Sequence, residues 1–202
     1  MKFINLVDEV SVLKKEIREW IVAIAVAVVL VVVLVNFVAK PYNVKGDSMY
    51  PTLKDKEKVI VNIIGKKLGG IDKGNVIVFH ANEKADYVKR VIGTAGDKVE
   101  YKKDQLYING KKVDEPYLKY NLEHKNYDQI TEDFSVKTLV NTNGEDTIPK
   151  GKLLVLGDNR EVSKDSRSFG LIDEDQVVGK VSFRFWPLNE FKFGFNPEKS
   201  EK

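Results

Sequence analysis

The chain has 202 residues and no cysteine, which excludes disulfides and thiolate chemistry. It carries 33 basic and 30 acidic residues, for a formal net charge of +3. Charges of both signs alternate, as in residues 54–58, so we expect a solvated surface and no nucleic-acid partner.

Residues 20–39 form an uncharged apolar segment whose one polar side chain is Asn36. As a helix this segment would reach about 30 Å, the thickness of a bilayer core. A cleavable signal peptide is the alternative, but its apolar region is usually only about 7–15 residues long. We therefore predict a single retained transmembrane helix at residues 20–39, preceded by an N-terminal segment at residues 1–19. Basic residues flank both ends, so the positive-inside rule leaves the orientation open.

Beyond residue 40 the sequence changes to short runs rich in Val and Ile, which are typical of β-strands. These runs lie at residues 58–64, 75–80, 87–92, 152–156 and 177–186. Residues 105–113 predict a hairpin with its turn at Asn109-Gly110. We predict a mainly β domain over residues 40–195, built on a coiled or closed antiparallel sheet. The polar stretch at about 104–150 is interpreted as an inserted subdomain, and residues 196–202 as a charged tail.

Ser48 is the candidate nucleophile, in the run Gly-Asp-Ser-Met-Tyr-Pro at residues 46–51. Gly46 permits unusual backbone angles and Pro51 restricts the chain three residues after Ser48. Such a turn can present both the hydroxyl and the backbone N–H of Ser48 at the edge of a cleft, where the N–H would serve as an oxyanion donor. The alternative is an ordinary turn, since serine is also common in turns.

Lys89 is the candidate base, because a serine nucleophile needs a partner that takes its proton. The histidines of the chain are His80 and His124, and neither has neighbours that suggest a catalytic triad. The two-residue period of a strand places Tyr87, Lys89 and Val91 on one face. Burial there would lower the pKa of the Lys89 amine. The alternative is a solvated strand lysine.

A third polar run, at residues 157–170, lies between two glycines and follows a predicted strand. Its Asp, Asn and Ser side chains can bond the local backbone and stabilise a tight loop. In this loop Ser163 can accept a hydrogen bond from Lys89, and Asp165 with Arg167 can form a structural ion pair. An ordinary polar loop is the alternative.

Together these runs resemble type I signal peptidases, the membrane-bound serine proteases that remove signal peptides from exported proteins. The resemblance rests on residues 46–53, 72–79, 87–97 and 157–170 and covers roughly residues 15–190, with single-span Gram-positive members most similar. It implies a coiled β-sheet domain, with Ser48 as nucleophile and Lys89 as general base. It further implies that Ser163 orients Lys89, with Asp165, Arg167 and Arg90 supporting the site.

The resemblance also implies an orientation and a set of partners. It implies a cell-membrane protein with a cytoplasmic N-terminus and an extracytoplasmic catalytic domain. Its partners would be membrane lipid and the signal peptides of preproteins, cut after small residues, and it would need no metal or cofactor. Some relatives carry a serine where this chain has Gly46, so a backbone N–H of Ser48 or Gly46, or a water, has to supply the oxyanion donors. The sequence does not indicate the oligomeric state.

Two alternative functions remain open at this point. One is a membrane-anchored Ser/Lys protease with another membrane or exported substrate, and the other is an inactive relative that only binds. A late aromatic cluster likewise has two interpretations, as core or as a membrane-interface surface. It comprises Phe183, Phe185, Trp186, Phe191, Phe193 and Phe195.

Overall fold

The computed structural model describes residues 2–33, 38–64 and 70–195, and it divides the chain into a unit at residues 1–39 and a unit at residues 40–202. The first unit contains one continuous helix, α1 (Lys2–Val33). Of the predicted membrane segment, residues 34–37 lie outside the described residues, and Ala39 begins a strand instead of ending a helix. Within the described ranges, no helix has the length and apolar character needed to cross a membrane.

The second unit is built mainly from short strands. The strands are β1 (Ala39–Asn43), β2 (Lys58–Asn62), β3 (Val76–Asn82), β4 (Ala85–Gly93), β5 (Val99–Lys102), β6 (Gln105–Ile108), β7 (Lys111–Val113), β8 (Phe134–Ser135), β9 (Lys152–Leu156), β10 (Ile172–Asp173), β11 (Val177–Trp186) and β12 (Lys192–Phe193). Short helices occupy Lys119–Glu123 and Ser166–Phe169, and 3₁₀ turns occupy Pro116–Leu118, Val136–Thr138, Glu174–Gln176 and Leu188–Glu190.

The strands form two sheets. The larger has the order β1-β2-β11-β3-β4-β9-β10, with β12 paired to β11, and the smaller has the order β7-β6-β5-β8. From β2 onward the pairs are antiparallel. The prediction of a mainly β, antiparallel domain is therefore confirmed. Three of the four strands of the smaller sheet lie within the predicted insertion at residues 104–150, while β5 begins before it at Val99.

Strand β3 explains how the larger sheet is packed on both faces. Alternate side chains of a strand point to opposite faces, and Val76 and Val78 enter one hydrophobic cluster while Ile77 and Phe79 enter another. All four are at most 1% exposed. Full burial of each such side chain contributes about 1.5–3 kcal/mol, so the centre of this sheet is a rigid support for the strands beside it.

A third cluster joins the smaller sheet to the larger one. Ile92 and Leu154 of β4 and β9 pack against Val99 and Leu106 of β5 and β6. The predicted hairpin between β6 and β7 is also present, with Asn109 and Gly110 at φ angles of 54° and 78°. Positive φ at both turn residues is the requirement of a type I′ turn, which explains the Asn-Gly pair.

Candidate active site

Ser48 and Lys89 meet in the second unit although they come from distant parts of the chain. Ser48 lies in the loop between β1 and β2, and Lys89 lies on β4. The distance between Lys89 Nζ and Ser48 Oγ is 2.7 Å. That contact is within the range in which a general base can take the proton of a nucleophile.

The surroundings of Lys89 favour its neutral form. The residue is 4% exposed, and its Nζ lies 5.4 Å from the centre of the Tyr87 ring, which packs on Phe79 and Phe169. Burial lowers the pKa of Lys89 to about 8, and the carboxylates of Asp165 and Asp158 oppose this shift. A pKa of about 8 leaves roughly a tenth of the amine neutral at pH 7, which is enough to supply a base.

The loop that carries Ser48 is held by buried apolar residues and by backbone bonds. Met49 and Leu53 are 1% and 0% exposed, and the Leu53 N–H donates to the Met49 carbonyl over 2.9 Å. The Asn159 N–H donates to the Ser48 carbonyl over 3.0 Å. The peptide bond between Tyr50 and Pro51 is cis. These contacts fix the backbone on both sides of the candidate nucleophile.

The two predicted oxyanion donors differ in availability. The Ser48 N–H makes no hydrogen bond to a residue that the structure describes. The Gly46 N–H donates to Asp55 Oδ1 over 2.8 Å, so Gly46 can donate to a substrate only if that bond breaks. Gly46 has a φ of +77°, which favours glycine, although a Cβ there would meet nothing within 4 Å.

Asp165 organises the loop at residues 157–170 from a fully buried position. Its carboxylate accepts from the Gly157 N–H over 3.0 Å and from both Nε and Nη2 of Arg167 over 2.9 Å. It also caps the helical turn Ser166–Phe169. Arg167 Nη2 donates in addition to the Arg160 carbonyl over 2.7 Å. The Asp165–Arg167 ion pair therefore closes this loop upon itself.

Ser163 belongs to the same loop, and its backbone N–H donates to the Asn159 carbonyl over 3.0 Å. Its hydroxyl oxygen is buried and has no partner among the described residues, so the expected bond to Lys89 is not formed in this structure. A Cβ placed on Gly157 would lie 2.2 Å from Ser163 Oγ and 2.4 Å from the Ser48 carbonyl oxygen. Gly157 is thus the spacer that lets Ser163 and the Ser48 backbone approach each other.

Arg90 points away from Ser48 and is 1% exposed. Its Nε and Nη2 donate to the two carboxylate oxygens of Asp158 over 2.8 and 2.7 Å. Its Nη1 donates to the carbonyls of Gly74 and Phe195. Among the residues that the structure describes, Asp158 links Arg90 to the Ser48 loop, because it also accepts a hydrogen bond from the Thr52 hydroxyl.

A cleft of about 870 Å³ opens on Ser48 and Lys89. Residues of β1 and of β4 line this cleft. The Ala85–Lys89 part of β4 pairs with β3, whereas β9 pairs with β4 only from Arg90 onward. The remaining lining includes Met49, Val78, Asn159, Val162 and Lys164. This is an elongated site next to a strand edge, a geometry suited to an extended peptide.

The two histidines lie in other environments. His80 Nδ1 is 2.6 Å from Asp86 Oδ1, and His124 Nδ1 is 2.8 Å from the Tyr120 carbonyl oxygen. Neither makes a hydrogen bond to Ser48. Within the described ranges no cluster of His, Asp and Glu side chains is arranged to hold a metal ion.

Comparison with known proteins identifies the family. The profile described as "Signal peptidase, peptidase S26" matches residues 17–186. The chain belongs to the S26 signal peptidase family. Signal peptidase IB of Staphylococcus aureus (strain MRSA252) is 67% identical over 190 residues, which cover 94% of this chain and 100% of the relative.

Other S26 signal peptidases agree with this assignment. Signal peptidase I S of Bacillus subtilis (strain 168) is 46% identical over 183 residues, 89% of this chain and 94% of the relative. A crystal structure of a signal peptidase I from Enterococcus faecalis V583 aligns with a TM-score of 0.51 and 38% identity. That alignment covers 55% of this chain and 97% of the other, so the two proteins share their fold over the aligned part.

Two residues that build the candidate site of this S26 signal peptidase were not predicted. Asp158 is fully buried and joins Arg90 to Thr52, and the Asn159 N–H holds the Ser48 carbonyl. Both residues lie in the polar run at 157–170. The composition of this run predicted a tight loop but did not indicate what Asp158 or Asn159 does in it. Their partners are far away in sequence, so only the fold brings them together.

Arg160 was also missed, and it ties the site loop to the smaller sheet. Arg160 is 2% exposed, and its guanidinium contacts Glu115 Oε1 at 2.5 Å and the Tyr101 hydroxyl at 2.9 Å. Its Nε donates to the Gly157 carbonyl over 3.0 Å. A buried charge of this kind requires a partner, and Glu115 supplies it.

Proposed function

We propose that this S26 signal peptidase cleaves the signal peptides of exported preproteins with Ser48 as nucleophile and Lys89 as general base. The observation that carries the proposal is the 2.7 Å contact between Ser48 Oγ and the Nζ of a buried lysine. The lowered pKa of Lys89, about 8, supports it because a general base must be neutral before it takes a proton. Membership in the family supports signal peptides as the substrates.

The reaction is acyl transfer in two stages. Neutral Lys89 takes the proton of the Ser48 hydroxyl while Ser48 Oγ bonds to the scissile carbonyl carbon. The peptide C–N bond breaks, and the Lys89 ammonium gives its proton to the leaving amine. Water then attacks the acyl-enzyme, Lys89 takes a proton from this water, and the proton returns to Ser48 Oγ as the ester bond breaks.

The negative oxygen that forms during each attack needs hydrogen-bond donors. The Ser48 N–H is the first donor in our proposal, because no described residue occupies it. Gly46 becomes the second donor only when its N–H leaves Asp55, and otherwise a water takes this position. The serine that some relatives carry at the position of Gly46 would supply a hydroxyl there instead.

The supporting residues position Lys89 and the loop around it. When Ser48 Oγ bonds to the substrate, it is no longer a hydroxyl that Lys89 can contact. Ser163 Oγ, which has no hydrogen-bond partner among the described residues, then offers Lys89 an acceptor. Asp165 and Arg167 hold the loop that carries Ser163. Arg90 acts at a greater distance, through the carboxylate of Asp158.

In this proposal the signal peptide binds in the cleft in an extended conformation. It lies along Ala85–Lys89 of β4, the part that pairs with β3 but not with β9. Main-chain bonds to a strand edge give affinity and leave side-chain pockets to give specificity. We infer that the residues before the cut are small, as implied by the resemblance. Residues 20–39 anchor the chain in the cell membrane, with a cytoplasmic N-terminus and the β domain outside, which makes membrane lipid a second partner.

Cleavage of a purified preprotein tests the proposal. Wild type releases a mature chain cut after a small residue, and Ser48→Ala and Lys89→Ala each lower the rate by roughly a thousandfold or more. His80→Ala is the control and retains the wild-type rate. A Lys89→Ala variant that cuts normally while His80→Ala does not would show that the base has been assigned wrongly.

A further inference from the structure

A second cavity of about 610 Å³ lies beside the Ser48 loop and is not part of the catalytic cleft. Its walls combine prolines, tyrosines and cationic side chains. They comprise Pro51, Thr52, Arg90, Pro116, Tyr117, Lys119, Tyr120, Glu123, Lys192, Gly194 and Phe195. Residues from the Ser48 loop, from the segment after β7 and from β12 therefore meet around one concave surface, which we call the tyrosine pocket.

The tyrosine pocket is close to the scissile bond. Ser48 lines the catalytic cleft, while Pro51 and Thr52 of the same loop line the tyrosine pocket. Three residues of chain span at most about 11 Å, so the loop separates two cavities by that distance or less. An extended peptide advances about 3.3 Å per residue, so roughly three to five residues beyond the cut reach the pocket.

The wall of the tyrosine pocket is attached firmly to the nucleophile loop. Asn121 Nδ2 donates to the Tyr50 carbonyl over 2.9 Å and to the Asp158 carbonyl over 2.8 Å. The rings of Tyr50 and Tyr120 make an edge contact with their centres 5.5 Å apart. The pocket is thus held in a constant position relative to Ser48, as a substrate subsite requires.

The charges of the pocket favour an acidic ligand. Asp158 neutralises Arg90, but Lys192 Nζ forms no ion pair with any residue that the structure describes. Lys119 Nζ lies 3.9 Å from Glu123 Oε1, and both side chains are more than half exposed, so this pair is weak. With Arg90 neutralised, the lining keeps Lys119, Lys192 and Glu123, an excess of one positive charge.

We propose that the tyrosine pocket binds the first residues of the mature chain and favours acidic side chains at roughly the third to fifth residue after the cut. This inference rests on the proposed function, because it assigns a place for the part of the substrate that leaves as the amine. Tyr117, Tyr120 and the two prolines contact the peptide, and Lys119 and Lys192 pair with its carboxylates.

Peptide length gives the first test, with the full chain in a neutral detergent. A peptide series shares one signal segment and ends one, three, five or seven residues after the cut. The pocket predicts that kcat/KM rises up to about five residues and then levels off, mainly through KM, because the pocket contacts residues of the substrate that do not take part in the reaction. Cleavage without any length dependence overturns the inference, whereas no cleavage of any peptide contradicts the proposed function.

Exchange of charge gives the second test. In peptides with Glu or Lys at the third to fifth positions, wild type prefers Glu by roughly three- to tenfold in kcat/KM at low salt. The double variant Lys119→Glu/Lys192→Glu reverses this preference, and added salt weakens it. The matched control Lys111→Glu/Lys112→Glu, on the β6–β7 hairpin, keeps the wild-type preference. Equal preferences in wild type and the pocket variant overturn the inference.

Discussion

Lys89, the proposed base, also affects the stability of the fold. Its ammonium form loses hydration in a buried site, which lowers its pKa from 10.5 to about 8. Below about pH 8 both the native and the unfolded chain carry this proton, so the buried charge destabilises the native state by its full amount. Between about 8 and 10.5 only the unfolded chain keeps it, and the destabilisation fades as the pH rises.

Lys89→Met is therefore expected to stabilise the fold. The pKa difference of the wild-type lysine corresponds to a gain of up to about 3 kcal/mol in the free energy of unfolding at pH 7. Denaturant unfolding at about pH 7 and about pH 10 measures this gain, which shrinks at the higher pH. Lys112→Met, on an exposed position of β7, is the control and changes little. An equal gain at the two pH values would argue against burial as the cause.

At the scale of elements, the loop at residues 157–170 connects the whole site. Asp158 joins it to Arg90 of β4, Asn159 joins it to the Ser48 loop, and Arg160 joins it to the smaller sheet. Gly157 lies at its start, where a Cβ would collide with Ser163 Oγ and the Ser48 carbonyl. The position of Ser48 therefore depends on the absence of one side chain.

Gly157→Ala tests this dependence. The added methyl pushes the Ser48 loop away from Lys89, and a displacement near 1 Å lowers the cleavage rate by roughly a hundredfold. The same overpacking costs about 1–3 kcal/mol of stability, which thermal unfolding measures. Ser168→Ala, at an exposed position of the same loop, keeps the wild-type rate. A Gly157→Ala enzyme with full activity would refute the close approach.

Local patterns were sufficient to predict some elements and not others. Strands β9 and β11 have the predicted bounds because residues that interrupt strands flank them: Gly151 and Gly157 flank β9, and Gln176 and Pro187 flank β11. Strands β3 and β4 reach further, to Asn82 and from Ala85, because the pairing of His80 with Asp86 extends the hairpin beyond its apolar residues. Such cross-strand contacts depend on tertiary structure and leave no periodic pattern.

The candidate site, too, could be predicted only in part from local sequence patterns. The two-residue period of a strand predicted the faces of Lys89 and Arg90, and β4 has Val88 and Val91 in different clusters. The Ser48–Lys89 contact joins residues 41 apart in sequence, and the Arg90–Asp158 contact joins residues 68 apart. No local pattern specifies contacts over such separations. The family resemblance was needed to pair Ser48 with Lys89, and it did not reveal the contact between Arg90 and Asp158.

At the scale of the whole molecule, the late aromatic cluster separates into two groups. Phe195 is 5% exposed and belongs to the core, while Trp186 and Phe193 are 48% and 66% exposed. The Phe191 and Phe193 rings contact each other and Phe183, and Leu188 is 72% exposed nearby in sequence. Exposed apolar groups of this kind, with a Trp among them, are typical of membrane-interface surfaces.

We expect Trp186→Ser/Phe193→Ser to weaken binding of the β domain to liposomes. Loss of two side chains that bury in the interface lowers partitioning by roughly tenfold or more. A variant lacking residues 1–39 is used in flotation, so that the anchor does not mask the effect, and its folding is checked by circular dichroism. Tyr127→Ser removes an aromatic ring that is 70% exposed elsewhere and serves as control. Unchanged binding by the folded double variant would reject the membrane surface.

The pH dependence of kcat/KM for a signal-peptide substrate tests whether Lys89 is the general base, since it reports the ionisation of the base in the free enzyme. With neutral Lys89 as base, activity rises about tenfold per pH unit in the acidic range and levels off above a midpoint near about 8. His80→Ala leaves this midpoint unchanged. A midpoint of about 6.5 that disappears in His80→Ala would show that a histidine is the base instead of Lys89, because that is the ordinary pKa of histidine.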